Sequence, residues 1–333
     1  MAINFVWNFC NDRQKDAIRF GRKWLSGFDL NGLTAGSSKE LAIHSGSINA
    51  VCEQYATSRC QKKKPYLRYR SKKSLGWVPV KGRDIKRNGD SFRFAGNTFR
   101  VFLSRELPIG KIKDGTNFSR DSRGNWFFNI VLEVEDAPAK VRQIQSGVGV
   151  DLGLKEFASL SDGVKIDSQN FFRKSEVALA VAQKGKKRRQ VVAIHAKVRN
   201  QRRDFHHKLS HYLVNRFDYI AVGNINAGAL AKTTMSKSVL DSGWSAFRKM
   251  LTYKAIKHGV VYEEVDESFT SQTCSDCGAL PDSRPKGIAG LGIREWICSD
   301  CGAIHDRDVN AALNILRRGR ATLAVGDSAN LAE

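Results

Sequence analysis

The hydrophobic and polar positions change period several times along the chain, and each change marks an element. Residues 3–7, INFVW, predict a short strand, and a helix basic on one side follows from Asp12 to about Leu25. From Ser47 onward, Ile48, Val51, Cys52 and Tyr55 recur at i, i+3, i+4 and i+7, which is one face of a second helix. Residues 11–62 therefore read as a helical insertion after one strand. From 84 to 136 the period falls to two. DSFRFAGNTFRVFL alternates Phe92 and Phe94 with charge, turns at Gly96-Asn97 and returns; RDSRGNWFFNIVLEVE repeats the plan around Gly124-Asn125. Hairpins at this density predict a small antiparallel barrel, which strand 3–7 would complete.

DAPAKVRQIQ, 136–145, reads as a linker. Beyond it, SGVGVDLGLKEFASLSDG puts Val148 and Val150 on one side of a buried strand that ends at Asp151, and Gly153 allows a tight exit into a second strand. Residues 174–216 predict one or two basic helices, YIAVGNIN (219–226) a strand, and WSAFRKMLTYKAIKHG (244–259) an amphipathic helix with Trp244, Phe247, Leu251 and Ala255 on one face and Gly259 at its end. VVYEEVDE, 260–267, predicts a further strand. Asp306 then caps a helix whose apolar stripe is Val309, Ala312, Leu313 and Leu316, and the tail beyond Arg318 reads as loosely held. The fold class expected is α+β with more than one domain.

Composition narrows the partners. The 333 residues, 41% apolar, predict two or three domains with real cores, and no run of 18 apolar residues exists to cross a membrane. The first residues lack the pattern of a signal peptide, so a soluble cytoplasmic protein is expected. Lysine and arginine outnumber acids 55 to 33, a net charge of +22, which calls for a polyanion and points to nucleic acid rather than a membrane. Two stretches concentrate that charge. Lys62, Lys63, Lys64, Arg68, Arg70, Lys72 and Lys73 are interleaved with Tyr66, Tyr69 and Trp77, pairing cations for phosphates with rings for stacking. Lys186, Lys187, Arg188, Arg189, Arg199, Arg202 and Arg203 form the second, and the histidines nearby, His195, His206, His207 and His211, read as phosphate contacts or solvated groups rather than ligands.

Two Cys-x-x-Cys turns, Cys274/Cys277 and Cys298/Cys301, stand 20 residues apart. Each bends the chain so that two thiolates reach one ion, and two together close a tetrahedral structural Zn2+ site. Cys10, Cys52 and Cys60 belong to no motif and read as small buried or half-buried thiols. Asp151, at the end of an apolar strand, is costly to bury without a cation and reads as a metal ligand. With Asp308, at the start of the last helix, it suggests acids from distant segments holding a pair of Mg2+ or Mn2+ ions for phosphodiester hydrolysis.

SGVGVDLGLKEFASLSDG, DYIAVGNINAGALAKT, SFTSQTCSDCGA and CGAIHDRDVNAALNIL resemble the three split RuvC-like nuclease motifs and the zinc ribbon of TnpB, also called OrfB, a family related to the miniature type V CRISPR effectors. The resemblance covers 147–316. It implies an N-terminal wedge barrel (1–10 and 63–140) with a helical recognition insertion (11–62), then an RNase H-like, RuvC-like nuclease (147–267 and 306–318) holding a zinc ribbon (268–305), and a tail (319–333). It implies a divalent-metal-dependent DNA endonuclease whose guide RNA pairs with target double-stranded DNA beside a short motif read by the protein. Asp151 takes the first-motif aspartate and Asp308 the third; the usual second-motif glutamate is replaced by Gly223, followed by Asn224. Along 260–267, Glu263, Val265 and Glu267 share one face and Glu264 and Asp266 the other. Glu267, at the C-terminal end of that strand beside the ribbon entrance, where it reaches into the space left by glycine, is the expected substitute, as in relatives that the resemblance includes with a relocated second-motif glutamate; Glu264 is second choice. An RNA-guided regulator with an inactive nuclease, and an RNA-independent transposase or zinc-ribbon DNA-binding protein, are the competing readings. The guide's source, the adjacent motif and whether one chain or two act stay open.

Overall fold

The computed structural model describes residues 2–102, 106–134, 141–287 and 289–330, and the chain divides into two compact units, Met1–Asp136 and Ala137–Glu333. Part of the expected linker, 136–140, and residues 331–333 of the expected tail lie outside the described residues.

The first unit opens with helices α1 (Ala2–Arg19), α2 (Gly27–Leu33), α3 (Ser38–Leu41) and α4 (Ser45–Gln61). The strand expected over 3–7 is the start of α1. The five-residue window INFVW hid a helical stripe that emerges over the longer segment: Ile3, Val6, Cys10, Gln14 and Ala17 are all buried, and Ile3, Val6 and Cys10 pack against Ile48, Val51, Cys52 and Tyr55 of α4. Cys10 and Cys52 are buried face to face, Sγ to Sγ 3.7 Å, whereas Cys60 is exposed.

Strands β1 (Trp77–Pro79), β2 (Lys86–Asn88), β3 (Ser91–Phe94), β4 (Asn97–Arg100), β5 (Lys111–Ile112), β6 (Asn117–Arg120), β7 (Trp126–Asn129) and β8 (Leu132–Glu133) follow. They pair as three small antiparallel sheets, β1-β6-β7, β2-β3-β4 and β5-β8, in place of one closed barrel among the described residues. A shared aromatic core draws on two of them: Phe92 stacks on Phe99 and meets Phe128 edge-on, and Phe118 stacks on Phe128 at 4.7 Å. The hairpin turn sits one residue earlier than its sequence suggested. Ala95 and Gly96, with φ of 49° and 80°, form the two-residue connection between Phe94 and Asn97.

The second unit is built on one five-stranded sheet. Strands β9 (Gly147–Leu152), β10 (Glu156–Leu160) and β11 (Lys165–Asp167) run antiparallel to one another; helices α5 (Phe171–Lys184) and α6 (Arg188–Arg216) lead to β12 (Tyr219–Gly223), then α7 (Ala227–Leu230), α8 (Ser236–Ser242) and α9 (Trp244–His258) lead to β13 (Val261–Val265). The spatial order is β11-β10-β9-β12-β13, with β9, β12 and β13 parallel. A short pair, β14 (Glu295–Ile297) and β15 (Ile304–Asp306), precedes the last helix, α10 (Arg307–Asn330). The α10 helix continues well past Arg318, where a loose tail was expected; Leu323 still packs on the Tyr219, Ala221 and Ile315 cluster.

Period-two alternation divides the sheet's faces. Val148, Val150, Ile220 and Val222 join the large core with Leu213, Trp244, Phe247 and Leu251 of α6 and α9. The opposite face of β9 carries Gly147 and Gly149. A Cβ on Gly149 would lie 1.9 Å from the Ala312 carbonyl oxygen, so only glycine lets α10 lie this close on the strand. Asp151 belongs to that same face. No helix among the described residues is long and apolar enough to cross a membrane.

Candidate active site and metal centre

Asp306 ends β15 with its Oδ1 accepting from the backbone N–H groups of Asp308 at 3.1 Å and Val309 at 3.0 Å, the helix cap expected of it. This cap starts α10 with Asp308 in its first turn, above the end of β9 where Asp151 stands. Glu267 reaches the same place by parity. Val261, Glu263 and Val265 occupy the α10 face of β13: Glu263 accepts from the Tyr219 hydroxyl at 2.6 Å, and Val265 packs with Ile315. Two residues on, Glu267 points over Gly223, where an added Cβ would lie 3.0 Å from its Oε2 and 3.2 Å from Ile315 Cδ1. The glycine at the second motif leaves the room that the glutamate uses. Asn224 keeps a supporting part: its N–H donates to the Val265 carbonyl at 2.9 Å and its Oδ1 accepts from Glu267 N at 3.4 Å. Glu264 lies on the other face, bonded to Arg248 at 2.8 Å and to the Tyr262 hydroxyl at 3.0 Å, and is spent there.

Asp151, Glu267 and Asp308 thus line one cavity of about 500 Å3, together with Lys155, Arg294 and Arg307. Burial raises the Asp151 carboxyl to about 8, the negative charges of Asp308 and Glu267 push the same way, and Arg307 opposes them. Burial also raises Glu267. Acids held together against their own repulsion want a cation. Part of that demand is met by Arg294, whose Nη1 lies 3.1 and 2.8 Å from the two oxygens of Asp308. Sequence reasoning passed over Arg294. It sits four residues before Cys298 in a strap read only for its cysteines, and the signal available was a basic residue in a ribbon that returns to a helix opening on an acid.

The four thiolates form a tighter group. Their sulfur atoms all lie within 4.8 Å of one another, and among the described residues no other set of three or more ligand side chains meets that spacing. Cys274 and Cys301 are 3.6 Å apart, Cys277 and Cys298 3.8 Å. Four thiolates about 2.3 Å from a tetrahedral ion would be about 3.8 Å apart, so the residues present fit zinc. His305 Nε2 stands 3.0 Å from Cys274 Sγ, with its ring against Trp296 at 4.7 Å. The three carboxylates do not meet that spacing.

The basic residues divide by burial. Lys62, Lys63, Lys64, Tyr66, Arg68, Tyr69, Lys72 and Lys73 are exposed. Arg70 and Trp77 turn inward: the Arg70 guanidinium lies over both Trp7 and Trp77, and its Nε donates to Asn4 at 2.7 Å. Lys186, Lys187, Arg188, Arg189, Arg199 and Arg203 are exposed around and along α6, whereas Arg202 donates to the Leu240 carbonyl at 2.8 Å. His206 is neither a phosphate contact nor solvated; it is buried against the Ser242 carbonyl, and burial lowers it to about 4.

Residues 244–315 match the family model described as the Cas12f1-like TNB domain, and 129–234 the model described as a probable transposase. A putative RNA-guided DNA endonuclease of Streptomyces pristinaespiralis is 34% identical over 283 residues, 80% of this chain and 68% of that one. The chain belongs to the TnpB (OrfB) family. Other TnpB-family relatives are the putative RNA-guided DNA endonuclease InsQ of Escherichia coli strain K12, 30% identical over 62% of this chain and 57% of its own length, and the TnpB-like protein L770 of Acanthamoeba polyphaga mimivirus, 30% identical over 68% and 48%. The chain spans about half to two thirds of these relatives' lengths. Among solved structures, the cryo-EM structure of a Cas12f1-sgRNA-target DNA complex aligns over 95% of this chain and 92% of that one at 12% identity, with a TM-score of 0.41.

Proposed function

We propose that this protein is an RNA-guided DNA endonuclease, in which a guide RNA pairs with one strand of target double-stranded DNA and the cavity under α10 hydrolyses the phosphodiester. The observation that carries the reading is the convergence of Asp151, Glu267 and Asp308 on one cavity from a strand end, a loop and a helix start. The sheet order, three antiparallel strands followed by two parallel ones, supports reading 147–267 and 306–318 as an RNase H-like, RuvC-like core with the four-cysteine ribbon, 268–305, inserted in it. The aromatic sheets of the first unit take the wedge role and its helices 11–62 the recognition role.

Asp151, Glu267 and Asp308 are the residues that would hold two Mg2+ or Mn2+ ions, and such a pair supplies an activated water and neutralisation of the leaving oxygen. The chain's own part is to place the carboxylates and to deliver cations to the phosphate. Asp151 must lose its proton to ligate, and Lys155, Arg294 and Arg307 line the approach. Arg294, which pairs with Asp308, would offer a planar guanidinium that suits two phosphate oxygens. The exposed cations of 62–73 and 186–203 suit the RNA and DNA backbones. Zn2+ at the four thiolates is structural, because no ligand position is left open for water.

The test is to purify the protein from cells carrying its flanking DNA, sequence the RNA that comes with it, and challenge a plasmid bearing the matching target with Mg2+. Cleavage by wild type and none by Glu267→Gln is the expected result. A bound guide and a bound target without cleavage would replace this reading with a DNA-binding regulator, and the absence of RNA would replace it with an RNA-independent transposase.

A further inference from the structure

The strap that leaves β13 runs from Glu267 through Thr270 and Thr273 to Cys274, joining an acid of the cavity to the first thiolate in eight residues. It is wound tightly. Phe269 takes a left-handed φ of 60°, unfavourable for a bulky side chain, and both the N–H and the hydroxyl of Thr270 donate back to the Glu267 carbonyl, at 3.1 and 2.8 Å. What holds it there comes from α10. Asn310 and Asn314, one helical turn apart and each 1% exposed, both donate through Nδ2 to the same two carbonyls: Asn310 to Thr270 at 3.1 Å and Thr273 at 2.8 Å, Asn314 to Thr270 at 2.9 Å and Thr273 at 2.7 Å. Asn310 Oδ1 also accepts from Ser275 N, inside the first cysteine turn, at 2.9 Å. The Asn314 Oδ1 has no partner, so that side chain is kept buried for its donors alone.

Helix α10 carries Asp308 in its first turn, and the two asparagines lie just behind it. We propose that Asn310 and Asn314 are positioning residues that clamp the strap to α10, setting Glu267 against Asp308 and tying both to the cysteine turn. The inference rests on reading the acids as a divalent-metal site. In consequence the zinc ribbon fixes one wall of the acidic cavity as well as its own fold. The duplicated donors explain why two buried amides serve two carbonyls, when one alone would satisfy them.

The experiment uses the full chain with its bound RNA and Mn2+ as the probe, followed by electron paramagnetic resonance, counting only the Mn2+ signal that Asp151→Asn removes. Zinc is measured in parallel by elemental analysis. For Asn310→Ala/Asn314→Ala the expected result is Mn2+ binding weakened by about tenfold to a hundredfold, as for other residues that orient ligands, with one zinc per chain and unchanged RNA content. Each single variant should lose a smaller but measurable factor, about two- to threefold, since the remaining amide still holds both carbonyls. Asn314→Ser, which keeps a donor, should recover most of the single loss and serves if the double variant does not fold. Wild-type Mn2+ binding in the double variant, or in Asn314→Ala if only that folds, overturns the clamp, and so does a loss that merely follows lost zinc. A wild-type chain with no Asp151-dependent Mn2+ signal overturns the metal-site reading itself.

Discussion

The thiolate cluster takes its four donors from two tight turns in one strap of chain, and the carboxylate cluster takes its three from the end of β9, the loop after β13 and the first turn of α10. The first is compact, with sulfurs 3.6 and 3.8 Å apart, matching the edge of a tetrahedron around zinc. The second is spread around a cavity, pushes its own proton affinity upward and borrows Arg294 to offset part of its charge. A scaffold site is served by closed, saturated ligation. A site of the proposed kind, which would admit a phosphate and release product, is served by an open cluster that stays electrostatically unsatisfied until cations and substrate arrive.

The largest effect is expected at the zinc site. Cys298→Ser should lose the metal and unfold the ribbon, since structural zinc contributes about 10 to 16 kcal/mol to folds of this kind; elemental analysis showing one zinc per chain in the variant would refute the closed site. Next in size is the open one. Glu267→Gln should lower Mg2+-dependent plasmid cleavage on the order of a thousandfold, with zinc and guide RNA retained, because several kcal/mol of charge stabilisation in the transition state would depend on the ions proposed to bind there. Full cleavage by that variant would move the role to another acid.

A smaller effect reads the electrostatics directly. The folded chain binds a proton at Asp151 up to about 8, against 3.8 ordinarily, so between those values it holds more protons than the unfolded chain. Stability in magnesium-free buffer should therefore fall as pH rises from about 4 to 8, and Asp151→Asn should flatten that slope in thermal melts. Added Mg2+ favours the ionised form, so the pH of half-maximal cleavage should move below 8 as Mg2+ is raised; a midpoint indifferent to Mg2+ would contradict this. The smallest expected change comes from Gly223→Ala. Its Cβ would stand 3.0 Å from Glu267 Oε2, forcing a shift of a few tenths of an ångström, and the Mg2+ needed for half-maximal cleavage should rise severalfold while zinc content stays constant.

Local chemistry was legible without coordinates. The cysteine turns, the Asp306 cap, the amphipathic α9 and the alternation of β9 each depend on residues a few positions apart, where backbone geometry alone sets which side chains share a face. Glu267 was within reach through its place at the C-terminal end of the strand VVYEEVDE, beside the entrance to the ribbon. Three features depended on what packs against what. The segment 3–7 is helical because α4 offers a matching stripe, which outweighs the strand preference of a short window. Arg70, Trp77 and Arg202 look like surface cations and a stacking ring in the sequence, yet partners far along the chain turn them inward. Arg294 against Asp308, and the two asparagines against the strap, join segments whose distance in sequence carries no pattern. Short-range sterics and donor chemistry, readable from the sequence, set most of the elements and the four-cysteine ligand set; what holds the acids in place came only with the fold, because side chains from separate elements acquire neighbours only when those elements pack.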